Sequence, residues 1–445
     1  MSQVQRENIW SRHASVATFK RAAICSFLIA GAATLSATAG TLHARLHVLP
    51  SFARGPFGSS AEEHIHVFGR RVGDGRSPSS ALIGDEAGTL YGTTGLGGNF
   101  GDGTVFKLTP SGSHYVESVV HAFRGGLDGA IPYSELIADR SGALYGTASA
   151  GGDRACNCGA VFKLTPDSQT YRERVIYRFK GPDGADPVTG LVIDSSGVLY
   201  GTTLGGGNGV GTVFSLTPSP SGYKEHVLYA FQGGSDGSQP RGTLLLDKSG
   251  SLYGTTTSGG AFSAGTVFTL MRSGSAYTEK LLYSFTGGID GGNPAAGVVA
   301  HHGSLYGTTS NGGSGCGSSG VCGTVFELTP AKGGYSEKVL HSFTGRSDGG
   351  APEAPVTFDA TGTMYGTTDL GGLIRGGTCV LGCGVVYAVI RSGSGYSETV
   401  LHAFQGKNNG QSPLAGLFIG NDGVLYGTTF SGGHFSDGVV FAVSH

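Results

Sequence analysis

The sequence predicts an all-β fold built from seven tandem repeats. Glycine supplies 82 of the 445 residues, well above the roughly 7% that is usual, and it lacks the Gly-X-Y period of collagen. After residue 40 no segment carries a helical period, whereas short runs rich in Val, Leu, Tyr, Phe and Thr are bounded by turn residues, which is typical of strands. One such run, Leu-Tyr-Gly-Thr-Thr or a close variant, recurs along the chain. Its tyrosines are Tyr91, Tyr145, Tyr200, Tyr253, Tyr306, Tyr365 and Tyr426.

Three further runs recur in a constant order around this one. An apolar run follows a proline (strand A), the Leu-Tyr-Gly run comes next (B), and then come Gly-Thr-Val-Phe (C) and Val-Leu-His-Ser-Phe (D). The prolines are Pro78, Pro132, Pro187, Pro240, Pro294, Pro352 and Pro413. Four short strands per repeat, seven times over, match a single seven-bladed β-propeller of four-stranded blades. A β-solenoid is the alternative, but it needs shorter coils and distinct terminal caps.

The order of the strands predicts how the ring closes. The repeat region begins with a lone D strand at residues 63–68 and ends with an A-B-C set whose last strand is 438–443. We therefore expect the N-terminal strand to complete the seventh blade, which removes the exposed edges of an open array. A tight Asp-x-x-Gly turn, such as 194–197, should join A to B. The longer connection from D to A, such as 233–240, should cross between blades.

Residues that recur in every repeat have structural interpretations. Blades that pack face to face bury both faces of each strand, and Gly92 and its equivalents predict that a neighbouring ring covers the glycine. The Asp-Gly of the D–A connection, as at Asp128, is interpreted as turn chemistry. Calcium binding is the alternative, but one carboxylate per turn falls short of six oxygens. A D-strand position alternates between His and Tyr and is interpreted as a packing site; its residues are His121, Tyr177, Tyr229, Tyr283, His341 and His402.

The N-terminus carries a predicted export segment at residues 1–39. Basic residues precede an uncharged apolar run from Ala22 to Ala39, which ends in Ala-Thr-Ala before Gly40, as signal peptidase requires. We expect cleavage near Ala39, with an uncleaved membrane anchor as the alternative. Residues 40–62 are an irregular leader and residues 63–445 the propeller. Cleavage would remove Trp10, the only tryptophan.

Six cysteines fall as three local pairs in the B–C loops, just before strand C. In an exported protein such pairs predict disulfides. Metal binding is the alternative, but the short spacings in separate blades supply no four-ligand zinc set. The pairs are Cys156/Cys158, Cys316/Cys322 and Cys379/Cys383.

The combined motif Asp-Gly-x-x-Pro, Leu-Tyr-Gly-Thr-Thr, Gly-Gly and Gly-Thr-Val-Phe-x-Leu-Thr-Pro resembles the GloVer (Gloeo/Verruco) tandem repeat of "choice-of-anchor" proteins. The resemblance covers about residues 63–445 and is nearly complete at 254–294 and 307–352. It implies an exported bacterial repeat protein, often attached to the surface by a terminal sorting signal, with no established activity. The chain departs from that pattern because it stops at His445 directly after a strand, so either the N-terminal segment is the anchor or the protein is released.

The sequence predicts a binding face more readily than a catalytic site. Strand direction alternates, so the B–C and D–A loops should emerge on one face, which is the expected binding surface. Phe100, Phe262 and Phe435 occupy comparable B–C loop positions and are the candidate ligand-binding residues, since exposed rings stack on sugars or peptides. Alternatively they only cover the mouth of the propeller.

No catalytic residue, metal or cofactor is predicted. An active site needs residues that break the repeat and converge, and the candidates are spread over separate blades: Glu135, Glu353 and His301-His302. The net charge of −2 argues against nucleic-acid binding, and membrane contact is expected only through residues 1–39 if they are retained.

We therefore expect an exported monomer, secreted, periplasmic or on the cell surface. Its expected role is that of a non-enzymatic interaction scaffold for a protein or polysaccharide partner. A glycan- or peptide-binding propeller is the alternative, and a propeller hydrolase or lyase is less favoured.

Overall fold

Seven antiparallel sheets follow one another around a ring in the computed structural model, which describes residues 62–168, 170–316, 321–372 and 379–444. Each sheet is one blade, so the predicted seven-bladed propeller is confirmed. The predicted export segment at 1–39, and the leader up to residue 61, lie outside the described residues. The described helices are three 3₁₀ turns of three residues, none long enough to span a bilayer: Gly126–Asp128, Gly234–Asp236 and Lys407–Asn409.

Each blade has the strand order A-B-C-D that the sequence predicts. The A strands are β3 (Ile83–Gly84), β7 (Ile137–Ala138), β11 (Val192–Ile193), β15 (Leu245–Leu246), β19 (Val299–His301), β23 (Thr357–Phe358) and β27 (Phe418–Ile419). The B strands are β4 (Leu90–Gly97), β8 (Leu144–Ala148), β12 (Leu199–Thr203), β16 (Leu252–Thr256), β20 (Ser304–Thr309), β24 (Met364–Thr368) and β28 (Leu425–Thr429).

The C and D strands are the longer ones. The C strands are β5 (Thr104–Ser111), β9 (Ala160–Asp167), β13 (Thr212–Ser219), β17 (Thr266–Ser273), β21 (Thr324–Ala331), β25 (Val385–Ser392) and β29 (Val439–Val443). The D strands are β6 (His114–Ala122), β10 (Thr170–Arg178), β14 (Gly222–Ala230), β18 (Ala276–Ser284), β22 (Gly334–Ser342), β26 (Gly395–Ala403) and, for blade 7, β1 (Glu62–Val67). Blade 1 has an additional strand, β2 (Gly75–Pro78), which pairs with β4.

The N-terminal strand closes the ring. Strand β1 pairs antiparallel with β29, with Glu63 opposite Ala442 and Val67 opposite Val439. The backbone N–H of Phe68 donates to the carbonyl of Gly438 at 3.1 Å. The two ends of the propeller therefore share one sheet, as predicted.

The A strands lie nearest the axis. The amide of Gly190 in blade 3 donates to Thr243 Oγ1 in blade 4 at 3.1 Å. Arg241 in blade 4 reaches Glu353 in blade 6 at 3.5 Å. A contact that skips blade 5 is possible only across the inner mouth of the ring, so the D strands form the outer rim.

The core lies between blades and is made by strands B and C. In β12 and β29 all five residues are buried, because each of these strands packs against a blade on either side. The D strands differ from the sequence expectation of two buried faces: β10 alternates between exposed and half-buried residues over its first half. The difference arises because the rim has solvent on its outside.

Glycine in mid-strand B serves the predicted purpose. A Cβ built on Gly92 would lie 2.6 Å from Phe106 Cζ, because the ring of strand C lies directly over the glycine. The same ring position covers the glycine in the other six blades. Blade 6 places Tyr387 there, with the side chain fully buried.

Every D strand carries a β-bulge at the same place. In blade 1 Val105 pairs with His121 but Phe106 pairs with Val119, so Val120 is an extra residue. Side chains alternate between the two faces of a strand with a period of two, and an extra residue inverts that alternation. Glu117 and His121, four residues apart, therefore face opposite neighbouring blades.

Candidate functional site

The B–C and D–A connections form one continuous surface, which we call the loop face. In blade 2 the residues of the two connections pair as a bridge between Ala130 and Ala150, and the amide of Gly152 donates to the carbonyl of Gly126 at 2.7 Å. Equivalent bridges recur in blades 3 to 7. The predicted placement of both sets of loops on one side of the propeller therefore agrees with the structure.

The three predicted rings are exposed on this face. The exposed fraction is 55% for Phe100, 60% for Phe262 and 43% for Phe435. The guanidinium of Arg124 lies 5.4 Å from the centroid of Phe100, so one ring also carries a cation over its face. Phe435 and Phe100 belong to neighbouring blades 7 and 1, whereas Phe262 lies in blade 4 across the ring. The rings therefore line a broad surface and do not enclose one small pocket.

Five aliphatic side chains on the same face escaped the sequence analysis. They lie in D–A or B–C connections, and two of them, Leu127 and Ile289, share the position directly before the Asp of the D–A turn. The residues are Val72, Leu127, Ile289, Val380 and Leu381, all among the exposed large apolar side chains. A scan of the loops for apolar residues flanked by glycine would have found most of them.

All three predicted disulfides are present, and each lies within a B–C connection. The pairs are Cys156–Cys158, Cys316–Cys322 and Cys379–Cys383. Cys379 and Cys383 are buried at 4% and 2% exposure. The B–C connections of blades 2, 5 and 6 are thus cross-linked by disulfides, whereas those of blades 1, 4 and 7 each carry an exposed phenylalanine.

The inner mouth of the ring holds the two glutamates that the sequence analysis considered for catalysis. Glu353 forms the ion pair with Arg241. Burial raises the pKa of the Glu135 carboxyl. Glu353 belongs to blade 6 and Glu135 to blade 2.

The histidine pair in blade 5 packs against its neighbour. The ring of His301 stacks on Phe358 of blade 6 with centroids 4.1 Å apart and an interplanar angle of 7°. Burial, followed by the neighbouring His302, lowers the pKa of His301. This contact joins the A strands β19 and β23 across a blade boundary.

A second set of sites lies on the outer rim and was missed from the sequence. Each combines the His or Tyr of one D strand, the Asp of the following D–A connection and a Glu from the D strand of the next blade. We call these sites the rim clusters. Those with histidine are His66/Asp74/Glu117, His121/Asp128/Glu173 and His341/Asp348/Glu398. Those with tyrosine are Tyr177/Asp183/Glu225, Tyr229/Asp236/Glu279 and Tyr283/Asp290/Glu337.

The Asp of each rim cluster also has the structural role predicted for it. Asp128 Oδ2 accepts from the amide of Arg124 at 2.8 Å, and Asp236 Oδ2 accepts from the amide of Gln232 at 2.6 Å. These bonds close the turn after strand D. For Asp128, the effect of burial is outweighed by the neighbouring His121 and the amide of Arg124, which lower the pKa of the carboxyl.

The interpretation of the His/Tyr position as a packing site is therefore incomplete. The His121 ring does pack edge-on against Phe123, with centroids 4.7 Å apart, but its Nε2 lies 3.4 Å from Asp128 Oδ2. In the tyrosine clusters the hydroxyl donates directly, as from Tyr229 to Asp236 Oδ1 at 2.6 Å. One recurring sequence feature signals these sites: a Glu four residues before each His or Tyr.

Burial raises the pKa of the glutamate in every rim cluster. Burial, followed by the charge of Asp236, raises the pKa of Glu279 to about 7. Burial and Asp290 have the same effect on Glu337, whose pKa is also about 7. The Glu337 cluster lines an open groove of ≈ 850 Å³ between blades 4 and 5, at whose edge the exposed Ile289 lies.

Three solved structures resemble this chain only distantly. A putative 6-phosphogluconolactonase from Bacteroides uniformis is 14% identical over 79% of this chain and 89% of its own, with a TM-score of 0.47. A putative oxidoreductase (glucose dehydrogenase) from Thermus thermophilus is 17% identical over 69% and 94%, with a TM-score of 0.41. A chain of a mitotic checkpoint complex is 14% identical over 93% and 99%, with a TM-score of 0.48. Likeness at this level carries no argument about activity.

Sequence comparison gives a definite family. The chain matches no curated protein sequence. The Gloeobacter/Verrucomicrobia repeat matches residues 52–173, 138–380 and 315–445, which together span the whole propeller. This agrees with the resemblance carried by the repeat motif. The chain therefore belongs to the Gloeobacter/Verrucomicrobia repeat family.

Proposed function

We propose that this protein is an exported, non-enzymatic interaction scaffold whose loop face binds a protein partner at the cell surface. One observation carries the proposal: of the fourteen large apolar side chains that are exposed among the described residues, eight lie on the loop face. Apolar side chains that are exposed preferentially on one face of a protein favour that face as an interaction site. The side opposite, formed by C–D hairpins and A–B turns, exposes Met271 and Ile390.

The chemistry of the loop face favours a protein over a polysaccharide. Sugars are bound by flat aromatic rings that stack on them, whereas five of the eight side chains here are aliphatic. Aliphatic and aromatic residues together are the usual composition of the core of a protein–protein interface.

Export is supported by the three disulfides, because such bonds persist in oxidising compartments and are rare in the cytosol. The non-enzymatic role is part of this proposal because Glu353, one of the two candidate carboxylates, is held in an ion pair with Arg241. Residues that converge on a reacting group are the usual mark of an active site.

The test is retention of the purified full chain on cell-envelope fractions of the host bacterium. The variant is Phe100→Ala/Phe262→Ala/Phe435→Ala, and the matched control is Met271→Ala/Ile390→Ala on the opposite side. We expect the wild type and the control to be retained and the triple variant to be lost. Equal retention of all three proteins would refute a role for the loop face.

Treatment of the envelope separates the two classes of partner. Protease digestion should abolish retention if the partner is a protein. Retention that survives digestion, and that is reproduced on purified cell-wall polysaccharide, would overturn the protein partner in favour of the glycan alternative.

A further inference from the structure

Two of the rim clusters have the composition and geometry of a metal site. His66, Asp74 and Glu117 each offer one ligand atom, and these atoms lie within 4.8 Å of one another. The same holds for His121, Asp128 and Glu173. The ligands come from two blades in each case, so no single segment of sequence carries the set.

Unsatisfied polar atoms point into both clusters. His66 Nε2 and Glu117 Oε1 are buried without a hydrogen-bond partner among the described residues, and so are His121 Nε2 and Glu173 Oε1. A buried polar atom without a partner is costly. One ion bound between the two blades would satisfy both atoms at once.

The nitrogen–oxygen distances within the two clusters are longer than a hydrogen bond and close to the separation of two ligands of one metal ion. Nε2 of His66 lies 3.6 Å from Asp74 Oδ1, and Nε2 of His121 lies 3.4 Å from Asp128 Oδ2. In N–H···O hydrogen bonds the nitrogen and the oxygen lie about 2.7–3.2 Å apart. Two ligands bound at the usual zinc distances with tetrahedral geometry lie roughly 3.3–3.5 Å apart.

We propose that His66/Asp74/Glu117 and His121/Asp128/Glu173 each bind one Zn²⁺ ion. An imidazole nitrogen with two carboxylates suits a borderline transition ion such as zinc better than calcium or magnesium, which prefer oxygen throughout. Three protein ligands leave a fourth position for water. The His66 and His121 side chains are 16% and 17% exposed, so an ion can enter from the rim.

The position of the first site gives it a structural role. His66 lies in β1, the N-terminal strand that closes blade 7, whereas Glu117 lies in β6 of blade 1. An ion bound between them ties the closing strand to the first blade. The second ion ties blade 1 to blade 2, so both sites strengthen the region where the ring is joined.

The tyrosine clusters provide a natural comparison. Where Tyr229 replaces histidine, its hydroxyl donates directly to Asp236 at 2.6 Å. Glu279 Oε1 of that cluster is buried without a hydrogen-bond partner among the described residues, so the histidine nitrogen is what distinguishes the proposed metal sites. Substitution of histidine by tyrosine therefore copies a side chain that the fold already accepts in three blades. Among the described residues, the cluster of His341, Asp348 and Glu398 does not bring three ligand atoms within 4.8 Å of one another, and it is not part of the proposal.

A chelator first removes any bound metal from the full chain, and equilibrium dialysis against Zn²⁺ then measures how much zinc the protein binds. No reductant is added, so the disulfide cysteines cannot bind metal. The variant is His66→Tyr/His121→Tyr, and the control, His114→Ala/His434→Ala, removes two exposed histidines. We expect the wild type and the control to bind two more zinc ions per chain than the tyrosine variant. Zinc should also raise the melting temperature of the wild type but not of that variant.

Equal zinc content in the wild type and the tyrosine variant would overturn the proposal, and so would displacement of the zinc by excess calcium. Circular dichroism checks that the variant is folded. If it is not, Glu117→Gln/Glu173→Gln replaces two ligands by near-isosteric amides, and it should lower zinc affinity at least tenfold. Unchanged affinity in this second variant would equally overturn the proposal.

Discussion

The glutamates of the tyrosine rim clusters should make the protein less stable as the pH rises from 5 to 8. Burial and the charge of Asp236 raise the pKa of Glu279 from 4.5 to about 7, and Asp290 acts in the same way on Glu337. Both carboxyls are therefore protonated in the folded protein at pH 5 and must ionise near neutrality. Glu279→Gln/Glu337→Gln replaces each by an amide that stays neutral.

The sign of the effect follows from linkage. A folded-state pKa above the unfolded value contributes stability that is complete below about pH 4.5 and is lost as the pH rises through about 7. A shift from 4.5 to about 7 corresponds to about 3.4 kcal/mol for a fully buried group. Because these carboxyls are half-buried, screening by solvent reduces this to about 1 kcal/mol each.

Chemical denaturation at pH 5 and at pH 8 measures the difference. The double glutamine variant should gain about 2 kcal/mol relative to the wild type between the two pH values. Glu86→Gln is the matched control, because it removes an exposed carboxyl from an A–B turn without touching a rim cluster. Parallel stability–pH profiles for the wild type and the double variant would refute the reasoning.

Two further predictions concern the closure of the ring and the loop face. Phe68 follows the closing strand, is 0% exposed and packs edge-on against Phe106 with ring centroids 5.1 Å apart. Phe68→Ala should therefore lower the free energy of unfolding by about 3–5 kcal/mol, measured by denaturant titration. A loss below about 1 kcal/mol would show that the closing strand contributes little. Removal of the Cys379–Cys383 disulfide by a double serine substitution should cost about 2 kcal/mol, because the closed loop holds five residues. An intact mass that rises by six alkyl groups under non-reducing conditions would contradict all three disulfides.

The fold was predictable because the same local sequence pattern recurs in all seven repeats. Proline before strand A, glycine in mid-strand B and the Asp-x-x-Gly turn each have one physical explanation, and repetition separates them from chance. The closing strand was predictable for a simpler reason: a lone D strand at one end and an unfinished A-B-C set at the other leave only one pairing that removes both edges.

The loop face was predicted only in part. Phe100, Phe262 and Phe435 were found because they occupy the same position in different repeats. Val72 and Ile289 lie in glycine-containing D–A connections, where the sequence does not indicate which side chains are exposed. Their exposure of 104% and 76% depends on the path that these connections take across the surface. The disulfides were predictable because both cysteines of each pair lie in one loop.

The sequence by itself determined the number of blades, the order of strands, the closure and the disulfides, since each depends on contacts within one repeat or on the count of repeats. Only the tertiary structure decided the rim clusters. Glu117 and His121 are four residues apart and would share one face of a regular strand, but the bulge at Val120 turns them toward different blades. Glu117 therefore lies close to His66 of blade 7, and His121 lies close to Glu173 of blade 2. Both partners come from neighbouring blades, so they could not be read from the sequence of strand β6 alone.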